Sequence, residues 1–341
     1  MDYSFFIGID ISKKTLDFGV RDHKRLLFHL QADNSLAGLK AFQKECLERD
    51  VDLAQSLICC EHTGIYSQHI LSLATENNLS LWLESSLRIK RSLGLQRGKS
   101  DKIDSVRISE YAFRYADRAT IWQPERQIVL KLRQLVALRK RLLNAKNTLR
   151  VPMEEVAAFQ DKKLQKEMEK LNRKPIEALN KQIAEVEKKI KALIKEDDSL
   201  KHLFDLATSV DGVGEVVFCE MVIATNEFKL FSCPRKFACY SGVAPFEHTS
   251  GTSIRGGTRV SHLANKQMKK LLHMAALSVI SGKGEMADYY HRKVKQGKNK
   301  MLVLNAVRNK IIHRVFARAA SAASETVENM KKFIPLPLFK P

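Results

Sequence analysis

The sequence predicts an α/β domain at its start, a long helical coiled coil in its middle and a mainly α domain at its end. Three observations predict it. Strand-like and helix-like patterns alternate over the first 120 residues; apolar residues recur at spacings of three and four between about 125 and 200; helical stretches joined by glycine-containing turns fill the remainder. With 341 residues there is enough chain for two or three separate cores. The expected boundaries are 1–122, 123–200 and 201–341.

In the first region, Ser4–Ile9 reads as an apolar strand ending at Asp10, and 15–21 and 26–31 read as two further strands of a meander. Asn34 or Ser35 can cap a helix running to about Arg49, with Leu36, Leu39, Phe42 and Leu47 on its apolar face. Leu57–Cys60 is a short buried strand that delivers Glu61. A helix over 67–76, a strand over 79–83, a basic stretch over 88–99 and a helix beginning near Asp101 complete the region. Three strands followed by alternating helix and strand is the order of a ribonuclease-H-like sheet with helices on its faces.

In the second region, Leu135, Leu138, Leu142, Ala145 and Leu149 form one apolar seam. Ile176, Leu179, Ile183, Val186, Ile190 and Leu193 form another, with Lys, Glu, Gln and Arg between. Pro152 and Pro175 are expected to start or break helices. The pattern suits an intramolecular helix pair spacing two domains and a dimerisation arm equally.

In the third region, Asp211-Gly212-Val213-Gly214 lies between two apolar helical stretches, the form of a helix-hairpin-helix. Its glycines, Gly212 and Gly214, would let backbone N–H groups approach a phosphate, although a plain interhelical turn has the same composition. Residues 249–257 read as a polar, glycine-rich loop, with Arg255 and Arg259 close by. Helices over 264–280 and 301–320 follow, the second carrying Arg308, Lys310, Arg314 and Arg318.

Charge narrows the function. Lys and Arg number 58 against 38 Asp and Glu, a formal net charge of +20. Such a surplus points to a polyanionic partner, and nucleic acid leads because phosphate contacts release condensed counterions. No apolar run approaches the roughly 20 residues that span a bilayer, and no signal segment opens the chain, so a cytoplasmic protein without membrane contact is expected. The six cysteines form no C-x-x-C pair and no His cluster has zinc spacing; all six read as reduced and structural.

Four carboxylates stand out. Asp10 and Glu61 each end an apolar strand, where an acid is disfavoured and costly if buried alone. Asp101 and Asp104, three apart at a helix start, project from one face. Brought to one sheet edge, the four suit Mg²⁺ or Mn²⁺, and two such ions about 4 Å apart would serve the attacking and leaving oxygens of a phosphodiester. Arg97 and Lys99, just before Asp101, are candidate backbone contacts. The segment Gly8–Lys14 also resembles the first phosphate loop of actin-like sugar kinases. No second glycine-rich phosphate loop follows in the first 200 residues, and the heptad region and charge are foreign to that class.

Segments 7–13, 61–66 and 99–104, then 210–214, 237–245 and 250–256, together resemble the DEDD transposases of the IS one-ten family of insertion sequences, which includes site-specific DNA invertases. The likeness runs through nearly the whole chain in order. It implies a RuvC-like domain whose metal ligands and catalytic acids are Asp10, Glu61, Asp101 and Asp104, a coiled-coil linker, and a C-terminal transposase domain with Ser250 as nucleophile. It further implies donor and target DNA paired to a non-coding bridge RNA, dimers assembling into tetramers, and a phosphoserine intermediate leading through a Holliday junction. Local chemistry alone leaves Thr249, Thr252 and Ser253 competing with Ser250; only the family motif chooses. Arg255 is expected to stabilise the phosphate under attack. The alternatives are a Holliday-junction-type nuclease using the same acids with water, a DNA invertase, and a non-enzymatic nucleic-acid-binding scaffold.

Overall fold

The computed structural model describes residues 2–92, 94, 100–156, 159, 161–231, 233–250, 254–261 and 263–332, with the side chains of 156, 247–250, 254–259 and 321–332 outside the description. The chain divides into two compact units, Met1–Pro124 and Glu125–Pro341.

The first unit is built on a five-stranded sheet. Strands β1 (Phe5–Ile11), β2 (Thr15–Arg21) and β3 (Leu26–Asp33) form an antiparallel meander, and β4 (Ser56–Glu61) and β5 (Ser80–Glu84) continue it in parallel with β1, in the order β3-β2-β1-β4-β5. Local chemistry makes the turns. Ser12 Oγ accepts from the Thr15 amide at 2.9 Å between β1 and β2, and Asp22 Oδ1 accepts from the Lys24 and Arg25 amides between β2 and β3. Helix α1 (Leu36–Glu48) starts where Ser35 Oγ accepts from the Gly38 amide, as the sequence predicts.

Side-chain alternation then builds two cores. On one face Ile7, Ile9, Phe18 and Ile58 pack under α1 and α2 (Gln68–Glu76), with the Phe18 and Phe42 rings stacked at 3.9 Å. On the other, Phe6, Leu57, Cys59 and Trp82 pack under α3 (Ser86–Ser92) and α4 (Asp101–Arg114) through Ile89, Ile108 and Tyr111. Helices on both faces explain why β1 and β4 are apolar almost throughout rather than alternating. This architecture is compatible with the ribonuclease-H-like expectation.

The second unit is mostly helical. Helices α5 (Gln127–Val156) and α6 (Lys162–Glu196) pack together, and α6 buries Ile183, Val186, Ile190 and Ile194. The two prolines expected to start or break helices lie inside them, Pro152 in α5 and Pro175 in α6. Each removes one backbone bond, but the carbonyls released, at Thr148 and Leu171, sit on exposed turns where water can satisfy them. Beyond α6 come α7 (Asp198–Thr208), α8 (Glu215–Thr225), α9 (Pro234–Tyr240), the hairpin β6 (Pro245–Ser250) and β7 (Ile254–Val260), α10 (Lys266–Ser281), α11 (Glu285–Lys295) and α12 (Lys300–Lys332). Leu132, Ile190, Phe218, Phe237, Leu272 and Ile311 share one core, so the base of the α5–α6 pair is continuous with the terminal helices. All six cysteines are free.

Candidate active site

The sheet register places the strand-end acids. Asp10 pairs with Asp17 across the β1–β2 ladder. Ile9 pairs with Cys60 across β1–β4, which brings Asp10 and Glu61 to adjacent positions one step further on. Glu61 in turn pairs with Glu84 on β5, and Asp17 with Gln31 on β3. Because side chains alternate, all five positions lie on the α4 side of the sheet, in one row across every strand.

Helix α4 brings the other two acids. Its N-cap, Ser100, accepts through Oγ from the Ile103 amide at 3.3 Å, so Asp101 and Asp104 fall in its first turn. The helix can lie close to the sheet because Gly8 and Gly19, paired with each other, have no side chains. A Cβ on Gly8 would overlap Ser109 N and Ser105 O, and one on Gly19 would come within 2.9 Å of the Ser105 backbone. Asp10 follows Gly8 by two residues, and Asp101 and Asp104 precede Ser105, so the helix start and the strand end meet.

Electrostatics reports that meeting. The Asp10 carboxyl is pushed up to about 6, first by burial, then by the negative charges of Asp101, Asp104, Glu61 and Asp17 in that order. All four acids singled out in the sequence therefore act within one cluster. Asp104 Oδ1 accepts from Arg107 Nη1 at 3.1 Å.

Two further acids of the row escape sequence reasoning. Asp17, 2% exposed, accepts from His29 Nε2 at 2.9 Å and from Gln31 Nε2 at 3.1 Å. Glu84, 7% exposed, accepts from Tyr111 Oη at 3.1 Å, the Ser85 amide at 2.7 Å and Arg88 Nη1 at 3.4 Å. Glu84 carries the same signal as Asp10 and Glu61, an acid ending an apolar run. Asp17 carries a weaker one, an acid inside an apolar strand.

The donor chemistry fits a hard divalent cation: oxygen ligands only, with a partly buried carboxylate whose ionisation a positive charge would favour. The acids are neighbours rather than a closed cage. Among the described residues, no three His, Cys, Asp or Glu side chains stand ready to hold one ion, and Asp104 would have to turn from Arg107 to join.

In the second unit, the expected polar loop is partly strand. Ser250 ends β6 and pairs with Ile254, and Thr249 pairs with Arg255, an irregularity near Phe246 and His248 notwithstanding. The side chains of Ser250, Arg255 and Arg259 lie outside the described residues, as do Arg97, Lys99, Thr252 and Ser253. Gly212 has a packing reason to be glycine: its φ is +82°, and a Cβ would come within 2.7 Å of Ala275 O and Val279 Cγ2 on α10. Gly214, the N-cap of α8, has open space where a Cβ would stand. No described helix is long and apolar enough to cross a membrane.

A DEDD transposase family model of the IS110 type, described as "Transposase", matches residues 7–156, and the model for the "Transposase IS116/IS110/IS902 family" matches residues 205–291. The pilin gene-inverting proteins of Moraxella bovis and Moraxella lacunata are each 22% identical over 311 residues, covering 90% of this chain and 93% of theirs. An insertion element IS110 uncharacterized 43.6 kDa protein of Streptomyces coelicolor is 26% identical over 140 residues, 41% of this chain and 33% of that protein. DEDD transposase domains generally depend on divalent metal. With one model spanning the acid-bearing sheet and α4 and the other spanning the turn, hairpin and α10, the chain belongs to the IS110 family of transposases, enzymes that rearrange DNA.

Proposed function

We propose that this chain cuts and rejoins DNA with Asp10, Glu61, Asp101 and Asp104 holding a divalent cation, Mg²⁺ or Mn²⁺, and Ser250 attacking the phosphodiester. The observation that carries the reading is the charge cluster itself: every one of the other three acids raises the Asp10 carboxyl, within the segment matched by the DEDD transposase model. The bound cation would supply charge neutralisation and a lowered pKa for a coordinated oxygen. The chain's own residues supply the rest.

Ser250 Oγ forms a bond to phosphorus as the P–O bond to the departing strand breaks. The serine proton passes to solvent, and the departing oxygen takes one up and leaves as a hydroxyl end. The phosphoserine diester keeps the energy of the broken bond, so a hydroxyl end of another strand can attack it, restoring the serine and joining the strands. Arg255, whose backbone pairs with the residue preceding Ser250, would stabilise the phosphate under attack. Asp10 is ionised above about pH 6, the state a ligand needs.

In this reading dimers assemble into tetramers, the acids of one subunit meet the serine of another, and a bridge RNA pairs with donor and target DNA. Support for the RNA and the assembly comes from the family resemblance and from a net charge of +20, which suits a nucleic-acid-rich complex. The expected result is a denaturation-resistant protein–DNA adduct that Ser250→Ala abolishes and Asp10→Asn or Asp104→Asn prevents from forming. Cleavage to free 5′-phosphate ends with no adduct would replace the serine with water and leave a Holliday-junction-type nuclease. Similarity along 93% of the pilin gene-inverting proteins favours inversion as an alternative outcome. A plasmid carrying two sites in inverted orientation separates it from transposition.

A further inference from the structure

Arg308 on α12 is a buried guanidinium. It is 6% exposed, and among the described residues no carboxylate pairs with it. Nη2 donates to His273 Nδ1 on α10 at 2.5 Å, Nη1 reaches Asn305 Oδ1 at 3.5 Å, and the buried Nε has no partner. A guanidinium only donates, so His273 must present a lone pair at Nδ1 and carry its proton on Nε2. Burial and the neighbouring Arg308 charge both hold the imidazole below its ordinary value, so it is neutral and offers no counter-charge. Burial alone lowers Arg308.

An unpaired buried cation is among the costliest features a fold can retain. Leu272 on α10 and Val307 and Ile311 on α12 are fully buried, and an apolar side chain at position 308 would avoid that cost. The position also has an address. Asn305, which holds Arg308, donates through Nδ2 to the Val243 carbonyl at 2.8 Å, two residues before β6 begins. On the return side, Asn265 caps α10 and donates through Nδ2 to Tyr240 Oη at 2.7 Å. The Lys269 side chain lies 3.4 Å from where a Cβ on Gly242 would stand, adding a second cation beside the same turn. The root of the β6–β7 hairpin is thus tied to the two helices that carry His273 and Arg308.

We propose that Arg308, oriented by His273 and Asn305, is a binding site for a backbone phosphate of the DNA seated at the root of the β6–β7 hairpin. The phosphate supplies the counter-charge that the fold omits, and the guanidinium fork supplies donors of matching geometry. Arg308 binds here and His273 positions it; neither takes part in bond breaking. The inference rests on the reading of the hairpin as the DNA-facing element, and not on Ser250 being the nucleophile.

The test is DNA affinity of the full chain as a function of salt, with thermal stability measured alongside. Arg308→Gln is expected to weaken duplex binding about tenfold and to lower the slope of log K against log salt by about one unit, the loss of one phosphate contact. Its melting temperature is expected to equal or exceed that of the wild type, because an uncompensated buried charge has gone. An unchanged slope in a folded variant overturns the proposal, as does a slope that changes on single-stranded RNA but not on DNA. Should Arg308→Gln fail to fold, Arg308→Lys keeps the charge and loses the fork: weaker DNA binding at an unchanged slope supports the site, and wild-type affinity overturns it. Scoring adduct formation with Ser250 intact, beside the titration, separates the two readings. An Arg308 effect without any serine adduct sinks only the nucleophile, and an adduct with an inert Arg308 sinks only this site.

Discussion

Gly8 and Gly19 face each other across the β1–β2 ladder, and the backbone of Ser105 lies over both. The two missing side chains make the trough that seats α4, and the seat decides where Asp101 and Asp104 begin. The carboxylate cluster therefore depends on two residues that carry no chemistry of their own.

Gly8→Ala puts a methyl into the Ser109 amide, backbone that cannot move without lifting the helix. A loss of about 2–3 kcal/mol is expected from overpacking, together with loss of DNA cleavage. Gly214→Ala, whose methyl meets open space, is the control and should cost less than about 1 kcal/mol. Urea midpoints read both; equal, small losses at the two sites would mean that α4 does not need the trough.

Asp10 titrates at about 6 in the fold against an ordinary 3.8. The folded chain therefore keeps this proton where the unfolded chain has lost it. Stability from this residue is greatest below about pH 4, falls as pH rises toward about 6, and is flat above. For a half-buried group the effect, after solvent screening, is on the order of 1–2 kcal/mol. In metal-free buffer Asp10→Asn should melt about 2–6 °C higher than the wild type at pH 7.5 and no higher at pH 4. A variant that melts lower at pH 7.5 would contradict the cluster. Added Mg²⁺ should stabilise only the wild type, and less so below pH 6.

Asp17 stands beside Asp10 with its oxygens occupied by His29 and Gln31. Asp17→Asn keeps the shape and removes one negative charge from the row. Apparent metal affinity is expected to fall about 10–100-fold, with maximal cleavage recovered at high Mg²⁺. Cleavage that stays low at saturating metal would assign Asp17 to the chemistry instead.

Arg126, just before α5, donates to both Asp197 at the α6–α7 junction and the buried Glu227. Glu227 lies within Asn226-Glu227-Phe228, three successive residues of positive φ. Arg126→Ala leaves Glu227 buried without this partner, a loss of about 2–3 kcal/mol. Arg126→Ala combined with Glu227→Gln should recover more than half of it. Recovery of none would show that the pairs with Asp197 carry the junction.

Much of the fold and of the acid cluster is legible in local sequence. Asp10 and Glu61 are visible because an acid at the end of an apolar run is a local anomaly, and the α4 start because Ser100 and the acids of its first turn are capping chemistry. Glu84 has the same local mark, yet nothing near it in the chain says that β5 lies beside β4. Pro152 and Pro175 mislead because a helix can release one carbonyl to water and continue. The 249–257 segment reads as loop because its glycines and hydroxyls hide an antiparallel pairing that only the partner strand supplies.

The sequence by itself determined the order of elements, the basic charge and the family, since hydrophobic period, caps and motifs are written within a few residues of one another. Only the tertiary structure decided that Asp17, Asp10, Glu61 and Glu84 share one row, that Gly8 and Gly19 seat α4, and that Arg308 is buried with no acid among the described residues paired to it. Those facts are relations between residues far apart in the chain, and strand register and helix approach set them.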